Sequence, residues 1–247
     1  MSENEASVDA PQTPPAPSPA WLPPVAILAG ILAGAIGGYT IFTLREFYLT
    51  IPDGLPPYSA EWEAQNQWDK MRNLGMGVGT LGALLLGSIG LAVGATVSAS
   101  RAITGLVAGL ISGLVVGIIV GPIGYLTSAA LIPVMIEGIV KTIAIYAPIW
   151  IAFCLASALL SLTLRGARRD WGAAITNGIG LGILGVIIFP LLCTVVFPVG
   201  RPELIIPEHS GILYTGYILV GLTAAITALS VLKTKKSKSN TASEAAS

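Results

Sequence analysis

The chain has 247 residues, of which 53% are hydrophobic and 11% are charged, and its formal net charge at pH 7 is zero. Soluble domains carry about 25% charged residues, so this composition is typical of a protein embedded in a lipid bilayer. A zero net charge provides no overall field that would attract nucleic acid, and we expect no nucleic-acid partner.

The N-terminal segment, residues 1–20, contains no lysine or arginine and is rich in proline, serine and acidic residues. This composition predicts a disordered tail. Because a cleavable signal peptide needs a basic start, we expect the apolar stretch that follows to remain in the protein as a helix.

Long uncharged runs separate the charged clusters, and six of them reach the length of about 20 residues that a transmembrane helix needs. The sequence therefore predicts an all-α integral membrane protein, a polytopic bundle of about six transmembrane helices within residues 21–232. Residues 233–247 are predicted to form a basic, disordered C-terminal tail. The predicted spans are 25–44, 74–97, 102–121, 142–164, 171–197 and 211–232.

The basic residues suggest an orientation, because lysine and arginine concentrate on the cytoplasmic side of membrane helices. Four lysines lie in the C-terminal tail, and Arg165, Arg168 and Arg169 lie between the fourth and fifth spans. With six spans these clusters share one side, so we expect a plasma-membrane protein with both termini in the cytoplasm. Three basic residues of the first loop oppose this orientation.

The most regular pattern is a row of glycines in the third span. Small residues at a spacing of four let two membrane helices approach closely. Four residues of a helix rotate by about 400°, so each glycine is displaced by about 40° from the one before it. Over the five glycines the row therefore turns by about 160°. We therefore expect either a right-handed crossing with one neighbour or two neighbours that share the row. The glycines are Gly105, Gly109, Gly113, Gly117 and Gly121.

Similar rows occur in the first two spans, with Gly30 and Gly34 in span one and Gly75, Gly79 and Gly87 in span two. Spans two and three are joined by a very short connection, so they must be antiparallel neighbours. These patterns predict glycine-rich close packing of the first three helices. The alternative to packing within one chain is a surface for self-association or the wall of a channel.

The largest polar segment between predicted spans is residues 45–73. Ser59 can cap a helix whose first turn holds Glu61 and Glu63. No helix-breaking residue follows before the second span, so we expect a juxtamembrane helix that projects from the bilayer. Its tryptophans indicate either an aromatic anchor at the headgroups or, on residues Tyr58–Asn73, a docking surface for another protein.

Residues 122–141 are apolar but contain Pro122, Pro133, Glu137 and Lys141. This mixture predicts an interfacial or re-entrant segment, with a seventh span as the alternative. Glu137 and Lys141 are four residues apart, in the order that favours an ion pair on one helix face. Such a pair is a functional candidate at membrane depth, whereas at the interface it would reach the headgroups.

The sequence contains no recognisable catalytic, metal-binding or cofactor-binding constellation. The single histidine, His209, cannot form a two-histidine metal or haem site, and Cys154 and Cys193 both lie in apolar runs. No GxxxxGK phosphate-binding loop is present. We therefore expect no metal, no cofactor and no enzymatic activity.

Asn177 is the single asparagine, glutamine or charged residue within the six predicted spans. We expect its side chain to bond to another helix, with substrate binding as the alternative.

Two hypotheses of function follow from these observations. The first is a non-enzymatic membrane component, such as a subunit, scaffold or assembly partner, that contacts the lipid bilayer and presents residues 58–73 to a protein. The alternative is a small transporter or channel that uses Glu137, Lys141 and Asn177, with the third helix broken at Pro122.

Overall fold

A computed structural model describes residues 20–43, 54–131, 137–166, 171–198, 200, 202 and 209–233. Within these residues six helices are long and apolar enough to cross a membrane, which confirms the predicted polytopic all-α bundle. The predicted disordered tails lie outside the described residues, apart from Ala20 and Lys233. The helices are α1 (Leu22–Thr43), α2 (Ala60–Ala95), α3 (Ala99–Leu131), α4 (Gly138–Leu164), α5 (Trp171–Val196) and α6 (Ser210–Lys233).

Successive helices run in opposite directions, so the bundle has two ends. We call end A the end at which α1 begins and α6 finishes, and end B the opposite end. The core lies between α2, α4, α5 and α6, where Leu85, Trp150, Phe153 and Phe189 are almost completely buried. Helix α3 packs outside this core against α2 and α4. Its outer side exposes leucine, isoleucine and valine, as expected for a surface that contacts lipid.

The backbones of α2 and α3 meet along the predicted glycine row. A β-carbon at Gly113 would overlap the carbonyl oxygen of Gly82, and one at Gly121 would lie 2.7 Å from that of Leu74. All five glycines face α2. If both helices were straight, residues at this spacing would rotate away from α2 by about 160° over the length of the row. The two helices must therefore wrap around each other. The contacting positions of α2 also repeat every four residues: Leu74, Val78, Gly82, Leu86 and Gly90.

The glycines singled out in span two lie beside this contact line. A β-carbon at Gly79 would come 3.1 Å from the side chain of Ile118, and one at Gly87 would come 3.0 Å from that of Leu110. Gly82, which the spacing did not single out, is the residue of α2 at the centre of the contact.

The glycine row of α1 faces α6. A β-carbon at Gly30 would overlap the carbonyl oxygen of Gly221, and one at Gly34 would overlap that of Tyr217. Helix α1 also contacts α2, where the side chain of Leu81 covers Gly37. The close packing expected for the first three helices is thus divided between two tight pairs, α2 with α3 and α1 with α6.

The structure describes most of the segment 122–141. Residues 122–131 continue α3 without a break, Glu137 precedes α4, and the first turn of α4 ends at Lys141. The described residues of this segment are therefore parts of α3 and α4, and an interfacial or re-entrant placement stays a prediction. A β-carbon at Gly75 would lie 3.4 Å from the Pro122 ring, which is an ordinary contact distance, and 3.2 Å from the carbonyl oxygen of Ile118. The carbonyl oxygen of Ile118, which loses its helical donor at Pro122, faces the Cα hydrogen of Gly75.

Candidate functional site

Helix α2 begins well before its apolar part. Ser59 caps it as predicted, since its Oγ accepts a hydrogen bond from the backbone N–H of Trp62 at 3.2 Å, and Glu61 and Glu63 occupy the first turn. We define the α2 extension as Ala60–Asn73, the 14 residues of α2 that precede the first predicted transmembrane residue. At 1.5 Å per residue it is about 21 Å long.

The outer side of the α2 extension carries exposed aromatic and acidic residues. Trp68 is 59% exposed, and Tyr58, just before the cap, is 83% exposed. Tyr58 has a φ of 65°, which is uncommon for a residue other than glycine. The Tyr58 and Trp62 rings are 5.6 Å apart, so an aromatic pair stands at the start of the extension.

The inner side of the extension is fixed by polar contacts. Asp69 is 8% exposed and Asn73 is 1% exposed. One carboxylate oxygen of Asp69 forms an ion pair with Arg72 at 3.2 Å, and the other accepts a hydrogen bond from Gln65 at 3.1 Å. Arg72 also donates to the side-chain oxygen of Asn73 at 3.3 Å. These bonds satisfy the carboxylate, and all of them join residues within α2 itself.

The structure does not bring Glu137, Lys141 and Asn177 together. Glu137 is exposed before α4 at end B, and its side chain makes no capping hydrogen bond. Asn177 is half-buried next to Gly178, which packs against Leu155 of α4. Because Leu155 follows Glu137 by 18 residues along α4, Asn177 lies about 27 Å nearer to end A. These three residues do not form one binding site.

The interior between α2, α4, α5 and α6 contains a small apolar cavity. It leaves about 20 Å³ for the centre of a water molecule, which is room for about one water. The rings of Tyr146, Trp150 and Phe189 line it, and the ring centroids of Trp150 and Phe189 are 5.4 Å apart. The Nε1 of Trp150 donates to Thr223 at 2.9 Å. Aromatic rings therefore fill most of this part of the interior.

A line of hydroxyl groups joins α4 to α6, and the sequence analysis missed it. Ser157 is fully buried and donates to the carbonyl oxygen of Ala224 at 2.7 Å. Two pairs at a spacing of four, Ser157 with Ser161 and Thr223 with Thr227, could have indicated these helix faces. Serine and threonine were passed over because they also bond to the backbone of their own helix, as the Ser161 hydroxyl does.

The remaining candidate residues lie apart from one another. His209 is exposed, and its Nδ1 accepts a hydrogen bond from the backbone N–H of Gly211 at 3.1 Å. Cys154 and Cys193 are both buried, in α4 and α5. In the part of the chain that the structure describes, no group of three or more histidine, cysteine or acidic residues could hold a metal ion.

Comparison with known proteins gives no match, whether with protein-family models, with curated proteins or with solved structures. Function is therefore inferred from the contacts of this chain alone.

Proposed function

We propose that the chain is a non-enzymatic membrane component, a subunit, scaffold or assembly partner, that binds another protein through the α2 extension. The observation that supports this most is the contrast between the two sides of that extension. Asp69 and Asn73 are buried on its inner side, while Tyr58 and Trp68 remain exposed on its outer side. Exposed aromatic residues on a rigid helix are the type of residue that contributes most to protein interfaces.

The packing of the interior also supports a structural role. The cavity has room for about one water molecule and is lined mainly by apolar and aromatic groups. Conduction or transport needs a polar route or a site for the substrate near the middle of the membrane. Glu137 and Asn177, two of the residues suggested for such a route, are separated by about 27 Å along the axis of the bundle.

Site-specific photo-crosslinking in the membranes of the organism that makes the protein tests this proposal. A photoreactive phenylalanine derivative replaces Trp68 in one variant and Ile111 in another. Ile111 is 59% exposed on the outer side of α3, so it provides a matched lipid-facing control. We expect the variant at position 68 to give one discrete protein adduct and the variant at position 111 to give lipid adducts.

The proposal is contradicted if position 68 gives no protein adduct and the chain purifies alone in mild detergent. A further variant, Trp68→Ala, should abolish co-purification of the partner without changing the melting temperature of the isolated chain, because the side chain is exposed.

A further inference from the structure

Two neighbouring helices carry a proline in their interior, Pro148 in α4 and Pro190 in α5. Because a proline has no N–H and its ring clashes with the preceding turn, a helix bends at that residue. In α5 the Thr194 hydroxyl also donates to the carbonyl oxygen of Pro190 at 2.8 Å, and threonine bonds of this kind favour a bend. Beyond these weak points lie residues 138–147 of α4 and residues 191–196 of α5, which we call the end-B parts of the two helices.

The two prolines lie near the same level of the bundle. A β-carbon at Gly182 of α5 would lie 2.7 Å from the Cα of Ile151 of α4, so these two residues mark one level. Pro148 precedes Ile151 by three residues, which places it about 4.5 Å nearer to end B. Pro190 follows Gly182 by eight residues, which places it about 12 Å nearer to end B. The prolines are therefore about 8 Å apart along the axis of the bundle.

On the end-A side of the prolines, backbone contacts and hydrogen bonds hold α4 to its neighbours. A β-carbon at Gly178 of α5 would lie 2.8 Å from the Cα of Leu155, so the backbones of α4 and α5 meet there as they do at Gly182. Trp150 and Ser157 donate hydrogen bonds from α4 to α6. Because neither backbone can move aside as a side chain does, this half of the interface is rigid.

On the end-B side, aromatic rings join α4 to α5. The ring centroids of Tyr146, in the end-B part of α4, and of Phe189, directly before Pro190, are 5.2 Å apart. These two rings line the apolar cavity together with Trp150. A side chain can adopt another rotamer, so a ring contact yields more readily than a backbone contact. Movement of the end-B parts would therefore widen the cavity.

We propose that the end-B parts of α4 and α5 move together about hinges at Pro148 and Pro190, and that this movement widens the aromatic cavity towards end B. Hinge movements of this type need only a few residues that absorb the change in backbone angles. In the structure the cavity has room for about one water molecule, and its widening would admit small molecules from end B. The proposal goes beyond protein binding by the α2 extension, because it assigns a movement to the interior of the bundle.

Two native thiols, one on each side of the hinges, test this movement. Cys193 lies in the end-B part of α5, Cys154 lies on the end-A side of Pro148 in α4, and both are fully buried. The full-length chain in phospholipid nanodiscs is treated with N-ethylmaleimide, and peptide mass spectrometry follows each thiol. We expect Cys193 to react at least about tenfold faster than Cys154, because a local opening needs less free energy than unfolding of the rigid half.

Replacing either proline should slow the reaction of Cys193. Pro190→Ala and Pro148→Ala each restore one backbone hydrogen bond across a hinge, which corresponds to about fivefold in rate. The effect of Pro148→Ala is the more informative one, since it reaches a thiol on the other helix and a merely local bend of α5 would not respond to it. Pro24→Ala is the matched control. Pro24 lies in the first turn of α1, where no intrahelical bond is lost, and its replacement should change the rate less than about twofold.

Equal rates for Cys193 and Cys154 in the wild-type chain would overturn the proposal. An unchanged rate at Cys193 in both proline variants would also overturn it, since the prolines would then be fixed bends. Slowing by Pro190→Ala alone would contradict the joint movement of the two helices. A folding defect would raise the rate at Cys154, so this thiol identifies a misfolded variant and the other proline variant then decides.

Discussion

The contact between α2 and α3 and the contact between α4 and α6 depend on different interactions. In the first, glycines remove the side chains and backbone meets backbone, with Gly113 against Gly82 at the centre. In the second, side chains bridge the helices through the hydrogen bonds of Trp150 with Thr223 and of Ser157 with Ala224. Lipid provides no hydrophobic drive for helices to associate, so close packing and hydrogen bonds must provide it.

The difference predicts how each contact responds to substitution. An atom added between two backbones cannot be accommodated by a rotamer change, so the helices must separate. Removing a hydroxyl group leaves the spacing of the helices unchanged and costs one hydrogen bond. Substitutions in the glycine contact should therefore destabilise the protein more than substitutions in the hydroxyl contact.

The largest effect is expected from Gly113→Leu. Its β-carbon would overlap the carbonyl oxygen of Gly82, so α2 and α3 could close only at a larger spacing along their whole length. We expect a loss of at least about 3 kcal/mol in the free energy of unfolding. Unfolding by sodium dodecyl sulfate from mild detergent micelles, followed by circular dichroism, measures it.

Gly180→Leu in α5 is the matched control, because a β-carbon at Gly180 would meet no atom within 4 Å. It should not lower the free energy of unfolding, because leucine favours the helix over glycine by about 0.5–1 kcal/mol. Unaltered stability of Gly113→Leu would contradict the placement of α3 against α2.

An intermediate effect is expected in the pair formed by α1 and α6. Gly34→Ala would place its β-carbon on the backbone carbonyl of Tyr217, and we expect a loss of about 2 kcal/mol. Gly38→Ala would meet the ring of Tyr214 at 3.1 Å, a side chain that can move. Alanine also favours the helix over glycine by about 0.5–1 kcal/mol, so Gly38→Ala should be close to neutral. Equal losses in the two variants would contradict the contact between α1 and α6.

The two pairs also differ in how far the sequence predicts them. The α2–α3 pair follows from a regular glycine row and a short connection that leaves one possible neighbour. The partner of Gly30 and Gly34 cannot be read in this way, because a glycine row fits any close helix and α6 is distant in sequence. On the face of α2 that meets α3, Gly90 and Gly94 keep the spacing of four, but Gly82 was not singled out. Leu86 lies between Gly82 and Gly90, and its backbone rather than its side chain makes the contact.

The helix after Pro122 could not be predicted for a related reason. Proline normally ends a helix, but α3 continues through Pro122 to Leu131, and the ring packs beside Gly75 of the neighbouring helix. That neighbour is set by a tertiary contact, which a local pattern does not contain. The candidate site shows the same division. The cap at Ser59 is local and was predicted, whereas the hydrogen bond from Trp150 to Thr223 joins residues distant in sequence and was not.

The smallest effect is expected in the hydroxyl contact, where a double-mutant cycle isolates one bond. Trp150→Phe removes the donor and Thr223→Val removes the acceptor of the 2.9 Å hydrogen bond. Such bonds between membrane helices contribute about 0.6 kcal/mol and at most about 1.7 kcal/mol, so we expect a coupling energy in this range.

The control cycle pairs Trp150→Phe with Thr163→Val, because the Thr163 hydroxyl bonds to Leu160 of its own helix, and its coupling should be zero. A coupling above that range would mean that the hydroxyl contact holds the bundle as strongly as the glycine contact does. Zero coupling would mean that α4 and α6 are joined by ring packing around the cavity, with the hydrogen bond only satisfying the indole N–H.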